Sequence, residues 1–299
     1  MLSRRSLLAT PLALLATRIA AAQPGRMSLA LHTNTSSGAG YRGALEGWAK
    51  AGIRQVELSG ALVDAFLKTD TLAAARRILT DNDLTPVSGS VGGPPLLEPS
   101  PDHTAAFDAL KQRLEIFAAL GLKKIYTTTN GTQTLTIDDY KVVVEQMRRF
   151  GETARQFGMM AMVEFVRAST YMSTLPTALK YTREAAHPNI GPMFDFYHFW
   201  SGNNKLEDLD LIRPGEIQHV HFQDVPDMPR ELLDNNTRVI PGDGVSPLAA
   251  ILKKLAEKGY AGPLSVELFL PQFRDSDPFA VATEIKRKAE AVMRSAGVA

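Results

Sequence analysis

Four short apolar runs in the second half of the chain each end on a residue that can bind a metal ion. The four terminal residues are Glu164, Asp195, His221 and Glu267. Each run is typical of a buried parallel strand, and each ends where a strand passes into a loop. Because the carboxyl ends of the strands in a parallel barrel all lie at one face, we expect the four side chains to surround a single point. The pattern therefore predicts a metal site.

The chemistry of this set favours a hard divalent ion. Three carboxylates and one imidazole supply oxygen-rich coordination without a thiolate, which suits Mn²⁺, Mg²⁺, Co²⁺ or Fe²⁺ better than a structural zinc site. We expect Mn²⁺, with Zn²⁺ as a further alternative. An octahedral ion with four protein ligands keeps two positions for neighbouring oxygens of a substrate. The alternative is that each acidic residue is only a helix N-cap or a surface group.

Repeated apolar runs and the helical patterns between them must position these residues. The runs follow one another at intervals of roughly 25 to 45 residues, the length of a strand, a helix and two loops. Apolar residues at spacings of three and four predict amphipathic helices in between. We predict a single-domain α/β protein, a (β/α)8 TIM barrel, with an open doubly wound sheet as the alternative. The predicted strands are Ser28-Leu31, Gln55-Leu58, Thr85-Gly89, Lys124-Thr128, Met160-Glu164, Pro192-Asp195, Gln218-Phe222 and Leu264-Leu268.

The N-terminal segment resembles an export signal. The run Ser3-Arg4-Arg5-Ser6-Leu7-Leu8 is similar to the twin-arginine motif, and Ala20-Ala21-Ala22 follows an apolar stretch that is too short to span a membrane. We predict a signal peptide over residues 1–22, a barrel over residues 23–299 and a periplasmic or exported protein without stable membrane association after cleavage. A disordered basic N-terminus of a cytoplasmic protein is the alternative.

Composition excludes several classes of function. The chain has no cysteine, which excludes disulfides, thiol nucleophiles and Cys-bound zinc. Loss of the predicted signal, which contains three arginines and no acidic residue, changes the formal net charge from +1 to −2. This balance argues against nucleic acid as a partner, because phosphate backbones require basic surfaces. The sequence does not decide whether the protein forms a homo-oligomer.

Several local motifs resemble one known family. The chain from Met27 onward is similar to the sugar isomerase/epimerase family with the xylose-isomerase-like TIM barrel. That family includes ketose 3-epimerases, hydroxypyruvate isomerases and inosose dehydratases, and endonuclease IV is a more distant relative. The motifs are Asp195-Phe196-Tyr197-His198, the runs from Ile217 to Asp224 and from Arg238 to Gly244, and the run from Gly259 to Leu268.

The resemblance implies roles for individual residues. It implies that Glu164, Asp195, His221 and Glu267 bind the metal and that the two glutamates also transfer protons on opposite sides of the substrate carbon. It further implies that His198 contacts the substrate, and that Glu57, at the end of the second strand, lies near the sugar. One position departs from the pattern. The epimerases have an arginine six residues after the ligand histidine, where this chain has Asp227, and Arg230 is nearby but out of register.

Three further residues are candidates from their position alone. His32, at the end of the first predicted strand, could face the pocket, and Trp200 could form part of the wall of a sugar site or belong to a helix core. We expect His219 to point away from His221, and so to pack behind the barrel or to support the ligand shell. These assignments complete the predicted site.

The predicted site fits isomerisation or epimerisation of an unphosphorylated ketose or keto-sugar. Chelation of two adjacent oxygens would acidify a C–H bond, and a carboxylate could remove the proton to give an enediolate. Expulsion of a neighbouring substituent would instead make the protein a lyase that cleaves a 3-keto-glycoside. A phosphodiesterase of the endonuclease IV kind lacks its extra histidines here. A non-catalytic sugar-binding barrel would not need the paired glutamates.

Overall fold

The computed structural model describes residues 26–92, residue 96 and residues 103–299. The predicted signal peptide lies outside this part of the chain. Within the described residues, no helix combines the length and the apolar character that crossing a bilayer requires.

Eight parallel strands close into a barrel in which each strand pairs with its neighbours in sequence. This order confirms the predicted TIM barrel and excludes the open doubly wound sheet. The strands are β1 (Ser28–His32), β2 (Gln55–Ser59), β3 (Thr85–Ser90), β4 (Lys124–Thr128), β5 (Met160–Glu164), β6 (Ile190–Asp195), β7 (Val220–His221) and β8 (Pro263–Val266).

Helices follow the strands and cover the outside of the barrel. The described residues form α1 (Gly40–Lys50), α2 (Gly60–Leu67), α3 (Leu72–Asp81), α4 (His103–Ala119), α5 (Ile137–Gln156), α6 (Leu175–Ala185), α7 (Phe196–Ser201), α8 (Leu248–Glu257), α9 (Pro271–Arg274) and α10 (Pro278–Ala296), together with 3₁₀ helices over Thr33–Ala39, Leu206–Leu211 and Arg230–Leu232.

Strand boundaries near the site differ from the predicted ones. Only Val220 and His221 of the predicted seventh strand remain in β7, although the backbone N–H groups of Gln218 and Phe222 still donate to Pro192 on β6 and Ser265 on β8. Farther along the chain, Asp224 pairs with Val239 in an isolated antiparallel bridge. Glu267 lies one residue beyond β8 rather than inside it. The apolar runs therefore extend past the residues that form the regular strand pairing.

Strand register brings the polar residues to one level at the carboxyl end. Asp195 pairs with His221, His32 pairs with Glu57, and Glu164 pairs with Thr128. Alternate residues of a strand share a face, so the barrel interior contains these groups on one layer. A small apolar cluster of Tyr126, Met162 and Met193 packs on the same inner face. The larger apolar core fills the space between the barrel wall and the helices.

Candidate functional site

The four residues predicted to bind a metal converge on one point inside the barrel. Nδ1 of His221 lies 2.9 Å from Oε1 of Glu164, 3.4 Å from Oδ2 of Asp195 and 3.4 Å from Oε2 of Glu267. One ligand-type atom from each residue lies within 4.8 Å of all the others, and all four residues are buried. The predicted convergence is therefore observed.

These separations suit a single divalent ion. Ligand atoms about 2.1 Å from a common ion lie roughly 3 Å apart when they are adjacent in an octahedron. The contacts of His221 span 2.9 to 3.4 Å. Three carboxylates would balance the charge of a dication that is otherwise hard to bury. This buried acidic and histidine cluster could therefore hold a metal ion.

Glu57 supports the central histidine from the opposite side. Its Oε1 accepts a hydrogen bond from Nε2 of His221 at 3.2 Å, and its Oε2 accepts one from Nε2 of His219 at 2.9 Å. Burial by itself would raise the pKa of Glu57, but the two histidines lower it well below its usual range. A carboxylate in this position orients a ligand histidine and raises its basicity. The side chain lies behind His221 rather than at the pocket surface, which differs from its expected place near a sugar.

The orientation expected for His219 is wrong. Both His219 and His221 contact Glu57, so they point to the same side of the barrel wall. Residues two apart on a strand share a face, and the sequence alone already required this. The three residues form a second set of ligand-type atoms within 4.8 Å of one another. Their hydrogen bonds make this set a support for the metal-facing nitrogen of His221.

Arg238 is a central residue of the site to which the sequence interpretation assigned no role. Its Nη1 donates to Oε2 of Glu267 at 2.5 Å and to Oδ2 of Asp195 at 3.3 Å, and its Nη2 donates to Nε2 of His198 at 3.0 Å. The side chain is only 3% exposed. Its guanidinium lies over the rings of Phe269 and Tyr197. It comes from a loop without hydrophobic periodicity, and its place in the motif from Arg238 to Gly244 was the only available signal.

Four of the predicted substrate-contacting residues occupy four different environments. His198 lines the pocket, and burial lowers its pKa to about 4. His32 is fully buried beside Glu267, with Nδ1 3.4 Å from Oε1 of that carboxylate. Trp200 packs half-buried against the cluster around Tyr197, outside the pocket lining. Arg230 is exposed and donates to the backbone carbonyls of Gly202 and Trp200.

A pocket of about 450 Å³ opens above the cluster. Its lining is rich in amide and hydroxyl groups, and both of its arginines contact carboxylates: Arg113 pairs with Asp64, and Arg238 pairs with Glu267. The lining residues that could meet a ligand through polar side-chain atoms include Asn34, Ser90, Tyr126, Thr127, Asn130, Glu164, His198, Asn235, Asn236, Arg238 and Glu267.

The two glutamates of the cluster have opposite electrostatic environments. Burial raises the pKa of Glu164 to about 8. Burial also acts on Glu267, but His221, His32 and Arg238 outweigh it and lower the pKa of that carboxyl. In addition, Asn34 donates from Nδ2 to Oε1 of Glu267 at 3.1 Å. Glu267 is thus a fixed anion, whereas Glu164 holds a proton more readily.

Comparison with known sequences places the fold and the site in context. The model of the xylose isomerase-like TIM barrel family matches residues 45–294. The chain is 31% identical over 131 residues to an inosose isomerase of Halalkalibacterium halodurans, an alignment that covers 44% of this chain and 46% of that enzyme. It is 26% identical over 169 residues to a 3-dehydroshikimate dehydratase of Pseudomonas putida, which covers 56% of this chain and 26% of that enzyme. The chain thus spans less than half of either relative.

Solved structures share the architecture over nearly the whole described barrel. The IOLI protein with a bound zinc atom superimposes with a TM-score of 0.81 at 22% identity, covering 90% of this chain and 99% of that one. A D-psicose 3-epimerase in the presence of D-fructose superimposes with a TM-score of 0.74 at 19% identity, covering 91% of this chain and 100% of that one. These likenesses establish the fold.

Proposed function

The chain belongs to the xylose isomerase-like TIM barrel family, and from this premise we propose that it is a divalent-metal-dependent isomerase or epimerase of an unphosphorylated keto-sugar or keto-cyclitol. The observation that carries the proposal is the convergence of Glu164 and Glu267 on one ligand cluster at the base of a polar pocket. Two carboxylates in one buried site can remove a proton from carbon and return it elsewhere.

The residues of the cluster would hold the ion as a four-ligand set, and we propose Mn²⁺ because the set is mainly carboxylate oxygen. When bound, a divalent ion polarises a carbonyl and makes the neighbouring C–H bond more acidic. Glu57 keeps Nε2 of His221 occupied, so that Nδ1 faces the other ligands.

The two glutamates would act as the proton-transfer groups. Asn34 holds Oε1 of Glu267 and Arg238 holds its Oε2, which fixes the orientation of this carboxylate. Glu164 lies on the neighbouring side of His221, and its Oε1 contacts Nδ1 of that ring. Removal of a proton by one carboxylate, followed by delivery of a different proton from the other carboxyl group to the opposite face, would give epimerisation at one carbon. Return of the proton to the adjacent carbon would give isomerisation.

Charge in the pocket supports an uncharged substrate. A phosphate or carboxylate group would require a cation that is not already neutralised. Among the described lining residues, Arg113 and Arg238 are the arginines, and both contact carboxylates. The sequence from residue 93 to residue 102 has no lysine or arginine. Amide and hydroxyl groups in the lining suit the hydroxyls of a sugar or cyclitol.

Elimination is the second candidate reaction. Dehydratases are among the relatives of the chain, and loss of a substituent next to the enediolate carbon needs the same first proton transfer. A keto-glycoside would be the substrate, because it is uncharged and carries a leaving group. The twin-arginine-like segment supports action outside the cytoplasm, which is part of this proposal.

The test is hydrogen exchange at carbon. The protein is loaded with Mn²⁺ and offered 2-keto-myo-inositol, D-psicose and a 3-keto-glucoside in D₂O, and deuterium incorporation is followed by NMR. We expect exchange on at least one of them, with a new product reporting isomerisation, epimerisation or elimination. Glu267→Gln should abolish exchange while Mn²⁺ still binds. Absence of exchange on all three substrates, or full activity of Glu267→Gln, would contradict the proposal.

A further inference from the structure

One hydroxyl group at the base of the pocket has an orientation that its neighbours determine. Tyr126 lies on β4, is 2% exposed and lines the pocket beside the ligand cluster. Its ring meets the ring of His221 edge to face, with centroids 5.2 Å apart. Its hydroxyl oxygen lies 3.1 Å from Nε2 of His32, which is its hydrogen-bond partner among the described residues.

The backbone determines which nitrogen of His32 holds the hydrogen. The backbone N–H of Asn34 donates to Nδ1 of His32 at 3.1 Å. A backbone amide can only donate, so Nδ1 must be an unprotonated acceptor. Oε1 of Glu267 lies farther from the same nitrogen, at 3.4 Å, and accepts a hydrogen bond from the side chain of Asn34 rather than from His32. The neutral ring therefore has its hydrogen on Nε2, facing Tyr126.

This tautomer in turn orients the tyrosine. Nε2–H of His32 donates to the hydroxyl oxygen of Tyr126, so the hydroxyl hydrogen must point elsewhere. In the part of the chain that the structure describes, this hydroxyl makes no other hydrogen bond to protein. The remaining direction available to a pocket-lining group is the pocket itself.

We propose that Tyr126 is a further catalytic residue, which donates its hydroxyl hydrogen to the carbonyl oxygen of the substrate, and that His32 is the positioning residue that aims it. This inference rests on the proposed function. When a carboxylate takes the proton from the carbon next to the carbonyl, the C–H electron pair forms a carbon–carbon double bond. The carbonyl π electrons then move onto oxygen, and the hydrogen bond from Tyr126 strengthens as that oxygen becomes negative.

The first test removes the donor atom alone. Tyr126→Phe keeps the ring and should lower the rate of deuterium exchange into 2-keto-myo-inositol by about 100-fold, with KM changed by less than about twofold. The Mn²⁺ affinity measured by calorimetry should stay unchanged, which shows that the ligand cluster is intact. Tyr140→Phe is the matched control, because it removes another buried hydroxyl, on α5, outside the pocket. Equal exchange rates for Tyr126→Phe and the wild type would overturn the inference.

The second test examines the path through His32. His32→Ala should slow exchange by about 10-fold in the wild-type background and not at all in the Tyr126→Phe background, because His32 acts through the tyrosine. Additive losses would overturn its positioning role. Independently of any substrate, the nitrogen chemical shifts of His32 in the full-length protein should report a bare Nδ1, and protonation at Nδ1 would contradict the argument. A wild-type protein that exchanges no deuterium would refute the proposed function and this inference together, whereas a fully active Tyr126→Phe would refute the inference alone.

Discussion

The two halves of the barrel contribute different chemistry to the same site. Strands β5 to β8 supply the ligand-type side chains, each at a strand end or one residue beyond it. Strands β1, β2 and β4 supply His32, Glu57 and Tyr126, which contact that cluster or each other through hydrogen bonds. Strands β5 to β8 can bind an ion, and strands β1, β2 and β4 orient the groups that bind it.

The groups that can bind the metal and the groups that support them therefore come from different parts of the barrel. The ligand half of the barrel, strands β5 to β8, could be predicted from the sequence, because each ligand-type residue follows its own apolar run. The supporting half works across the barrel, as in the contact of Glu57 on β2 with His221 on β7. A carboxylate behind a ligand histidine is a common means of fixing a metal site. Substitutions in each half of the barrel test this division.

Replacement of Arg238 should have the largest effect on the metal-free protein. Arg238→Met leaves Asp195 and Glu267 without their buried cation, and we expect the free energy of unfolding to fall by about 3 to 5 kcal/mol. Urea denaturation without metal measures the loss, and saturating Mn²⁺ should restore part of it because a dication supplies positive charge to the same carboxylates. Arg274→Met is the control, since Arg274 pairs with Asp275 at the exposed surface and should cost about 1 kcal/mol or less. Equal losses in both variants would contradict the assignment.

Removal of the central ligand-type residue should abolish tight metal binding. His221→Ala deletes the imidazole that contacts all three carboxylates. We expect the Mn²⁺ affinity to fall by more than about 100-fold, which exceeds the effect expected from any supporting residue. Calorimetric titration measures it. His187→Ala, a half-buried histidine that pairs with Glu152 away from the barrel interior, should bind Mn²⁺ as the wild type does. Retention of tight binding by His221→Ala would mean that the cluster is not the metal site.

Disruption of the supporting half should weaken metal binding without abolishing it. Glu57→Gln keeps the shape of the side chain but removes the charge that faces Nε2 of both His219 and His221. We expect the Mn²⁺ affinity to fall by about 10- to 100-fold. A loss of Mn²⁺ affinity as large as that of His221→Ala would show that Glu57 acts as a ligand rather than as a support. No loss would remove Glu57 from the site.

The pH dependence of stability should be the smallest of these effects. Burial raises the pKa of Glu164 from 4.5 to about 8, so the folded protein binds a proton there that the unfolded chain has already released. Its contribution to stability is complete below pH 4.5 and is lost as the pH rises through about 8. The raised pKa of His221, where the surrounding carboxylates outweigh burial, acts in the same direction above pH 6.5.

Metal-free protein should therefore become less stable between pH 6.5 and 7.5, by about 1.4 kcal/mol or less over this interval. The lowered pKa values of His32 and His198 act in the opposite direction and offset part of the loss just above pH 6.5. Urea denaturation at fixed ionic strength measures the slope. The lowered pKa values of Asp195 and Glu267 add no slope here, because both groups are ionised in the folded and unfolded states. Glu164→Gln should flatten the profile. A stability that rises over this interval would contradict the environment assigned to Glu164.

Much of the fold and the ligand set could be predicted because their signals are local. Glycines at positions 52, 121, 158 and 259 end helices with positive φ, as expected for C-caps. The same local logic identified the four ligand-type residues. α2 begins directly after β2, so no loop residues mark its start in the sequence.

The alternation of strands and helices, and the chemical types of the groups at the strand ends, follow from local sequence. Which of these groups come into contact depends on the closed barrel. Arg238 enters the cluster from an irregular loop, and Glu57 contacts His221 across the barrel. The backbone N–H of Asn34 orients the ring of His32, and that ring contacts the hydroxyl of Tyr126. Periodicity reports the face on which a residue lies. Partners that are far apart in sequence become neighbours only when the barrel closes and sets the register between its strands.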